Sequence, residues 1–178
     1  LMPLLNSLAT PYAEALLQIT EGRKESETVA EQCKDLLGVW ESSADFRDAM
    51  VSPVLEPSGK KQALDALLGD QVTPSLMNLL KVLADRQRLQ ALDAVMLRYL
   101  ELYRQQQGIT LAPVRSAQPL TEEQQAALSS KVQAMAGTKK VDIDLSVDPG
   151  LIGGFVVSLG SQVIDASLSG QVRRLGLA

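Results

Sequence analysis

The sequence has no histidine among its 178 residues and a single cysteine, Cys33. The lack of histidine excludes Ser-His-Asp and Cys-His catalysis, and it excludes every metal site that needs a histidine ligand. One cysteine excludes an internal disulfide and is typical of a reducing compartment. Cys33 falls on an apolar helical stripe, so we interpret it as a small core residue.

Aromatic residues make up only 3% of the chain, and its net charge is -4. Both properties argue against a nucleic-acid partner, because such binding needs clustered basic residues and uses aromatic rings to stack bases. No apolar run approaches the roughly 20 residues that a membrane-spanning helix needs. The start also lacks the basic segment of a signal peptide. We therefore predict a soluble protein that does not insert directly into a membrane.

The first 108 residues repeat apolar side chains at the three- and four-residue spacing of amphipathic helices. Pro53 ends one predicted helix and Pro74 opens another, and the connections between helices are short. Pro11 either kinks the first helix or lies in its first turn behind Thr10. This pattern predicts a compact antiparallel bundle of about six helices with an aliphatic core.

After Gly108 the pattern changes to short strands around one helix. "ITLAPVRSA" is rich in β-forming residues, and Pro113 within it favours an edge strand or a bulge. "VDIDLSV" alternates polar and apolar residues, which predicts a half-buried strand. "GGFVVSLG" and "QVIDA" predict two more strands joined at Gly160-Ser161.

Helix signals complete the second half. Thr121 can cap a helix that ends at Gly137, and a terminal helix is predicted from Ser167.

The net negative charge of the chain lies in the first half, since residues 1–108 hold 11 basic and 15 acidic side chains and residues 109–178 hold six of each. The predicted class is thus α+β, with an N-terminal six-helix bundle in residues 1–108 and a small C-terminal α/β domain in residues 109–178.

The glycine-rich segment near residue 150 is the first candidate site. Gly153 and Gly154 are followed by a strand, whereas a dinucleotide fingerprint needs a glycine turn that opens a helix. We therefore interpret this pair as a structural turn that lets the backbone bend, and we predict no cofactor.

Five polar side chains are further candidates for chemistry. Ser58 and Lys61 have the spacing of a Ser-x-x-Lys dyad, but Ser58 fits a helix start better. Asp142 and Asp144 share one face of a strand, and the alternation places both carboxylates in solvent. Asp165 precedes the predicted terminal helix, which either Asp165 or Ser167 can cap. We find no set of residues that forms an active site, and we expect a protein that is not an enzyme.

The first and fifth helices are apolar on more than one face. The first adds Ala9, Ala13 and Leu17 to its main stripe, and the fifth adds Met77, Val82 and Ala84. Such helices either lie centrally in the bundle or form a groove for a partner helix.

Three segments together resemble a known family: "PYAEALL", "LLKVLADRQRL" and "VDIDLSVDPGLIGGFVVSLGSQVIDASLSGQVRRL". They are similar to the delta subunit of F-type ATP synthase, the counterpart of the mitochondrial oligomycin-sensitivity-conferring protein, and "TPYAEALL" and "EPSGKKQ" favour the photosynthetic type. The resemblance spans essentially the whole chain. It departs at Ser158, where the family commonly has a basic residue.

The resemblance implies a non-catalytic connector of the stator, in which proton-driven rotation is coupled to ATP synthesis. The helical domain is expected to receive the N-terminal helix of an alpha subunit, and the C-terminal domain to meet the b-type subunits of the peripheral stalk. Carried over by position, the partner groove is expected at two sets of residues: Tyr12, Ala13, Leu16 and Leu17 on the first helix, and Leu76, Leu80, Leu83 and Ala84 on the fifth.

The implied location is peripheral, on the cytoplasmic or stromal side of a thylakoid or plasma membrane. The alternative function is that of a helical adaptor in an unrelated complex. An enzyme that uses the glycine turn and Asp165 is the rival from another class.

Overall fold

A computed structural model describes residues 3–137, 140–151, 153–159 and 162–165. The chain divides into two compact units, Leu1–Tyr103 and Arg104–Ala178. The first unit is helical: α1 (Pro3–Gly22), α2 (Ser26–Ser42), α3 (Ala44–Val51), α4 (Pro57–Leu68), α5 (Pro74–Asp85), a 3-10 turn (Leu89–Ala91) and α6 (Leu92–Gln107), whose last turn from Arg104 already belongs to the second unit. The second holds α7 (Glu122–Ala136) and the strands β1 (Thr110–Ser116), β2 (Val141–Val147), β3 (Phe155–Leu159) and β4 (Gln162–Asp165).

Helix starts in the first unit follow local sequence signals. The Ser43 hydroxyl accepts a hydrogen bond from the Phe46 amide at 3.2 Å at the start of α3. The Thr73 hydroxyl accepts a hydrogen bond from the Leu76 amide at 3.4 Å. Thr73 directly precedes the proline that opens α5. Pro11 lies inside α1, which begins at Pro3, so the alternative that placed it in a first turn is wrong.

The core of the helical unit is aliphatic, as the scarcity of aromatic residues requires. Its largest fully buried side chains are Tyr99, Leu16, Met50, Leu64, Leu76, Leu80, Leu83, Leu89, Leu92, Met96, Val29 and Val95. Cys33 is also fully buried there, and burial raises the pKa of its thiol, so this sulfur is an unreactive core atom.

Tyr99 supplies a polar link inside this core. Its hydroxyl donates a hydrogen bond to the Ser26 carbonyl at 3.1 Å and lies 3.0 Å from the hydroxyl of Thr20, which is buried as well. The three residues belong to α6, the start of α2 and the end of α1. One phenol therefore joins three helices at a place where an unpaired polar group is costly.

The second unit is a four-stranded mixed sheet in the order β2-β1-β3-β4. The strands β1 and β2 are parallel and are connected through α7, whereas β1–β3 and β3–β4 are antiparallel. Ala112, Val114 and Val157 of the sheet are buried with Leu128 and Val132 of α7. The α+β class is therefore confirmed.

The position of β1 corrects one expectation. Pro113 was expected in an edge strand or at a bulge, but β1 is a central strand that pairs with β2 on one side and β3 on the other. Pairing with β3 begins at Val114, one residue after the proline. Proline has no amide hydrogen to donate, and Pro113 lies just outside the hydrogen-bonded pairing of β1 with β3. This is why a proline is tolerated in this central strand.

The predicted signals around α7 are confirmed. The Thr121 hydroxyl accepts a hydrogen bond from the Gln124 amide, and the Gln124 side chain accepts one from the Thr121 amide, which forms a capping box. Gly137 ends the helix in the left-handed conformation at φ 65°. The predicted turn at Gly160-Ser161 and the terminal helix from Ser167 lie outside the described residues, whereas Asp165, the other candidate cap of that helix, ends β4.

We expect the Tyr99→Phe variant to be less stable than the wild type by about 1–3 kcal/mol at neutral pH, because Thr20 and the Ser26 carbonyl lose a buried partner. Burial raises the pKa of Tyr99 to about 12, above the value near 10 of a free tyrosine. The folded state therefore favours the neutral phenol, and this stabilisation is present below pH 10 and lost as the pH rises towards 12. Urea unfolding of both proteins should show the stability difference shrinking over that range. A constant difference would contradict the assignment.

Gly153 and Gly154 have φ values of 63° and 70°, in the left-handed region that favours glycine. We expect Gly154→Val to lower the stability of the second unit by about 1–3 kcal/mol, because a β-branched residue is strained there. Gly38→Ala is the matched control, since an added methyl at this helical position meets nothing within 4 Å. This control should stabilise the helical unit by about 0.5–1 kcal/mol. Thermal unfolding in which both variants behave alike would contradict the prediction.

Candidate functional site

The predicted partner surface lies where α1 packs against α5. The two helices run antiparallel, because the end of α1 meets the start of α5 and the middle of α1 meets the residues just after α5. Arg23, just after α1, contacts the Ser75 hydroxyl in the first turn of α5 at 3.3 Å. Arg88, just after α5, donates a hydrogen bond to the Tyr12 hydroxyl at 2.6 Å, and its guanidinium lies 5.9 Å from the centre of the Tyr12 ring.

Most of the eight predicted groove residues are interior. The side chains with essentially no exposure are Ala13, Leu16, Leu76, Leu80, Leu83 and Ala84. Tyr12 and Leu17 are half-buried. Six of the eight side chains therefore belong to the core that holds the two helices together. A partner could contact them only if the helices separated. That these residues bind a partner stays a prediction.

Other apolar side chains of this helix pair face outward. Ile19 is 48% exposed and Val82 is 40% exposed. Ile19 follows Tyr12 by seven residues and precedes Arg23 by four, so it shares the α1 stripe that contacts α5. Val82 follows Ser75 by seven residues and occupies the matching stripe of α5. We call the surface formed by Leu8, Tyr12, Ile19, Leu79 and Val82 the α1–α5 face.

Ile19 belongs to the main apolar stripe of the first helix, and Val82 was singled out in the sequence only as a member of the second apolar set of the fifth helix. Their seven-residue spacing from Tyr12 and Ser75 is the signal that could have placed them on the partner surface. Single-sequence periodicity could not separate them from core residues, because a stripe facing the interior and a stripe bordering it have the same period.

The ends of the α1–α5 face carry charge. At one end, Arg88 covers Tyr12, and Arg98 donates hydrogen bonds to the Thr10 hydroxyl at 3.2 Å and to the Glu101 carboxylate at 2.7 Å. At the other end, the Ser75 hydroxyl donates to the Glu25 carboxylate at 3.2 Å. An apolar strip with charged ends suits an amphipathic helix better than a small ligand.

Two of the polar candidates, Asp142 and Lys61, each pair with another charged side chain. Asp142 was predicted in solvent, but it is half-buried and pairs with Arg104 at 3.5 Å, which corrects that prediction. Asp144 is exposed as expected. Lys61 pairs with Asp85 at 2.8 Å and so joins α4 to α5.

The part of the chain that the structure describes contains neither a metal-binding cluster nor a membrane-spanning helix. Within it, no group of three or more acidic or cysteine side chains could hold a metal ion. None of its helices is both long and apolar enough to cross a bilayer.

The glycine pair shapes a turn between β2 and β3. The Asp148 carboxylate accepts a hydrogen bond from the Gly150 amide at 3.0 Å, and the Gly154 carbonyl accepts one from the Ala117 amide at 3.2 Å. The turn leads directly into β3, so no helix N-terminus stands behind it to face a phosphate.

Comparison with known proteins gives one consistent result. The family model described as ATP synthase delta (OSCP) subunit matches residues 8–178. The chain is 85% identical over 177 residues to the ATP synthase subunit delta of Synechococcus sp. (strain CC9902), covering 99% of this chain and 97% of that protein. It is 63% identical to the subunit delta of the organellar chromatophore of Paulinella chromatophora, with the same coverage.

The fold has solved counterparts as well. A chain in the cryo-EM structure of the Toxoplasma gondii mitochondrial ATP synthase hexamer is similar with a TM-score of 0.66 and 25% identity, covering 96% of both chains. A chain of the Polytomella F-ATP synthase shares the fold over 55% of this chain, with a TM-score of 0.50 and 19% identity. The chain therefore belongs to the ATP synthase delta (OSCP) subunit family and is a non-catalytic, stator-connecting subunit of F-type ATP synthase.

Proposed function

We propose that the helical unit receives an amphipathic helix from the N-terminus of an alpha subunit along the α1–α5 face. The exposure of Ile19 and Val82 on adjoining stripes of two antiparallel helices carries this proposal. The half-buried Leu8, Tyr12 and Leu79 extend the same strip. A partner helix would cover this strip without disturbing the core beneath it.

The size of the apolar strip supports affinity in the micromolar range. Fully burying one exposed aliphatic side chain contributes about 1.5–3 kcal/mol, and association itself costs several kcal/mol. A helix that covers both ends of the strip and leaves Arg88 paired with Tyr12 should reach about -8 kcal/mol, which is a micromolar dissociation constant.

The second unit is proposed to hold the b-type subunits of the peripheral stalk. The edge strand β2 supports this role, since Leu145 and Val147 keep exposed apolar side chains there. The six helices before it would then act as one independently folded bundle. The cyanobacterial and chromatophore relatives favour a peripheral position on a photosynthetic membrane, on the stromal or cytoplasmic side.

A synthetic peptide of the alpha-subunit N-terminus tests the α1–α5 face. We expect Val82→Asp to weaken binding at least about tenfold in calorimetry, because the partner would bury an unpaired carboxylate. Ile19→Asp should have a similar effect. Val54→Asp is the matched control, since Val54 is 88% exposed and lies in the α3–α4 connection, outside this face. Equal affinities for the three variants, or no heat at concentrations well above micromolar, would remove the assignment.

Cutting the chain after residue 108 tests the division of roles. The remaining helices carry a continuous buried core, which is enough for independent folding at about a hundred residues. The fragment should be helical by circular dichroism and should bind the catalytic head, yet it should fail to restore proton-coupled synthesis without the second unit. An unfolded fragment, or one that restores synthesis alone, would contradict the two-domain connector.

A further inference from the structure

The outer edge of β2 carries no further strand among the residues that the structure describes. In the sheet order β2-β1-β3-β4, this strand pairs with β1 alone. The pairing runs unbroken over seven residues, so β2 has no bulge, and it contains neither proline nor lysine. Proteins commonly protect an exposed edge with such features, because unpaired amides and carbonyls attract another strand. The outer edge of β2 therefore lacks the usual protection against pairing.

Two hydrogen bonds determine which backbone groups point to that edge. The Thr110 amide donates to the Lys140 carbonyl at 3.1 Å, and the Asp148 amide donates to the Ser116 carbonyl at 2.8 Å. In a parallel ladder the amide and carbonyl of one residue point to the same side, and successive residues alternate. The even-numbered residues from 140 to 148 therefore face β1. The residues whose backbone groups face outward are Val141, Ile143, Leu145 and Val147.

The side chains of the same alternate residues form one wall of a groove beside α7. A cavity of about 340 Å³ lies there, and we call it the α7–β2 groove. Its lining residues are Val141, Ile143 and Leu145 from β2 and Glu122, Gln125, Ala126 and Ser129 from α7. A strand added to the edge would place every second side chain over this groove, because side chains alternate between the two faces of a strand. The apolar wall favours apolar side chains at those positions.

The opposite face of β2 is acidic. Asp144 is exposed and forms no ion pair with a described residue. Its neighbour across the ladder in β1 is Pro113, which carries no charge. A strand added on the other side would bring a side chain to about 5 Å from that of Asp144, where an opposite charge is favourable and a like charge is not. Lysine or arginine is therefore the complementary residue on this face.

We propose that β2 pairs along its outer edge with an extended segment of a b-type stalk subunit, in which apolar residues alternate with lysine or arginine. The apolar side chains lie over the α7–β2 groove, the basic side chains face Asp144, and the outward backbone groups of β2 form a new ladder. The choice of the peripheral stalk as the source of this segment rests on the proposed function. The geometry of β2 adds the means by which the second unit holds the stalk.

Hydrogen exchange resolved to single amides tests the pairing, in the isolated full chain and in the assembled ATP synthase. We expect the Ile143 and Leu145 amides to exchange at least about tenfold more slowly in the assembly, because they become ladder donors. The amides of Asp142 and Asp144 donate to β1 in both states, so their exchange should change less than about twofold.

The alternation is the decisive feature, because a helix that packed on the sheet would slow neighbouring amides alike. Slowing without alternation, or no slowing in β2, would overturn the strand pairing. Neither result would by itself remove the stalk contact of the proposed function, which binding measures separately.

A charge reversal gives that second measurement. Binding of the full chain to the isolated stalk subunits should weaken at least about tenfold in Asp144→Lys, because the basic segment would meet a like charge. Asp70→Lys is the matched control, since Asp70 is exposed in the α4–α5 connection and should bind like the wild type. Equal affinities for the three proteins would overturn the pairing and leave the stalk contact standing. A wild type that does not bind the stalk subunits would contradict both proposals.

Other occupants of the edge give different results in the isolated chain. Pairing with a second copy would slow the outward amides of β2 further as the protein concentration rises. Pairing with another segment of the same chain would make these amides slow at every concentration, before a stalk subunit is added. Either result would overturn the proposal.

Discussion

The antiparallel packing of α1 against α5 is the contact on which the helical unit depends. With few aromatic residues, the core gains its stability from many small and branched aliphatic side chains, and these must interlock along whole helices. Ala9 and Ala13 are completely buried, which allows close approach around α1. The same closeness leaves a shallow strip at the outer edge of the pair, where Ile19 and Val82 remain exposed. The buried stripes of α1 and α5 thus stabilise the unit, and the neighbouring exposed stripes of the same helices are free for docking.

Polar groups inside this unit restrict how the helices can be arranged. Tyr99, in the middle of α6, links the end of α1 to the start of α2, since its hydroxyl is near both Thr20 and the Ser26 carbonyl. Aliphatic packing alone tolerates shifts between helices, whereas a buried hydrogen bond requires one register. The Arg88–Tyr12 contact acts similarly at the surface and fixes one end of the α1–α5 face. A connector that resists torque needs such fixed geometry, because a deformable contact would lose the strain it must transmit.

The second unit uses different means. A parallel pair joined through α7 leaves two edge strands, β2 and β4, in a sheet of only four strands. Among the described residues α7 is the helix that packs on this sheet, and Leu145 and Val147 are exposed on β2. Exposed apolar side chains on an edge strand suit docking better than chemistry.

The sequence by itself determined most of the elements and the absence of histidine-based catalysis. Caps such as Thr73 and Thr121, the alternation in β2 and the helical periodicity are local signals, so they can be read without the fold. Only the tertiary structure decided that Pro113 lies in a central strand, that Asp142 pairs with Arg104, and that Leu16 and Leu80 face inward while Ile19 and Val82 face out. The reason is physical: period and propensity describe how a segment folds, whereas the direction in which each stripe points depends on which other segment covers it.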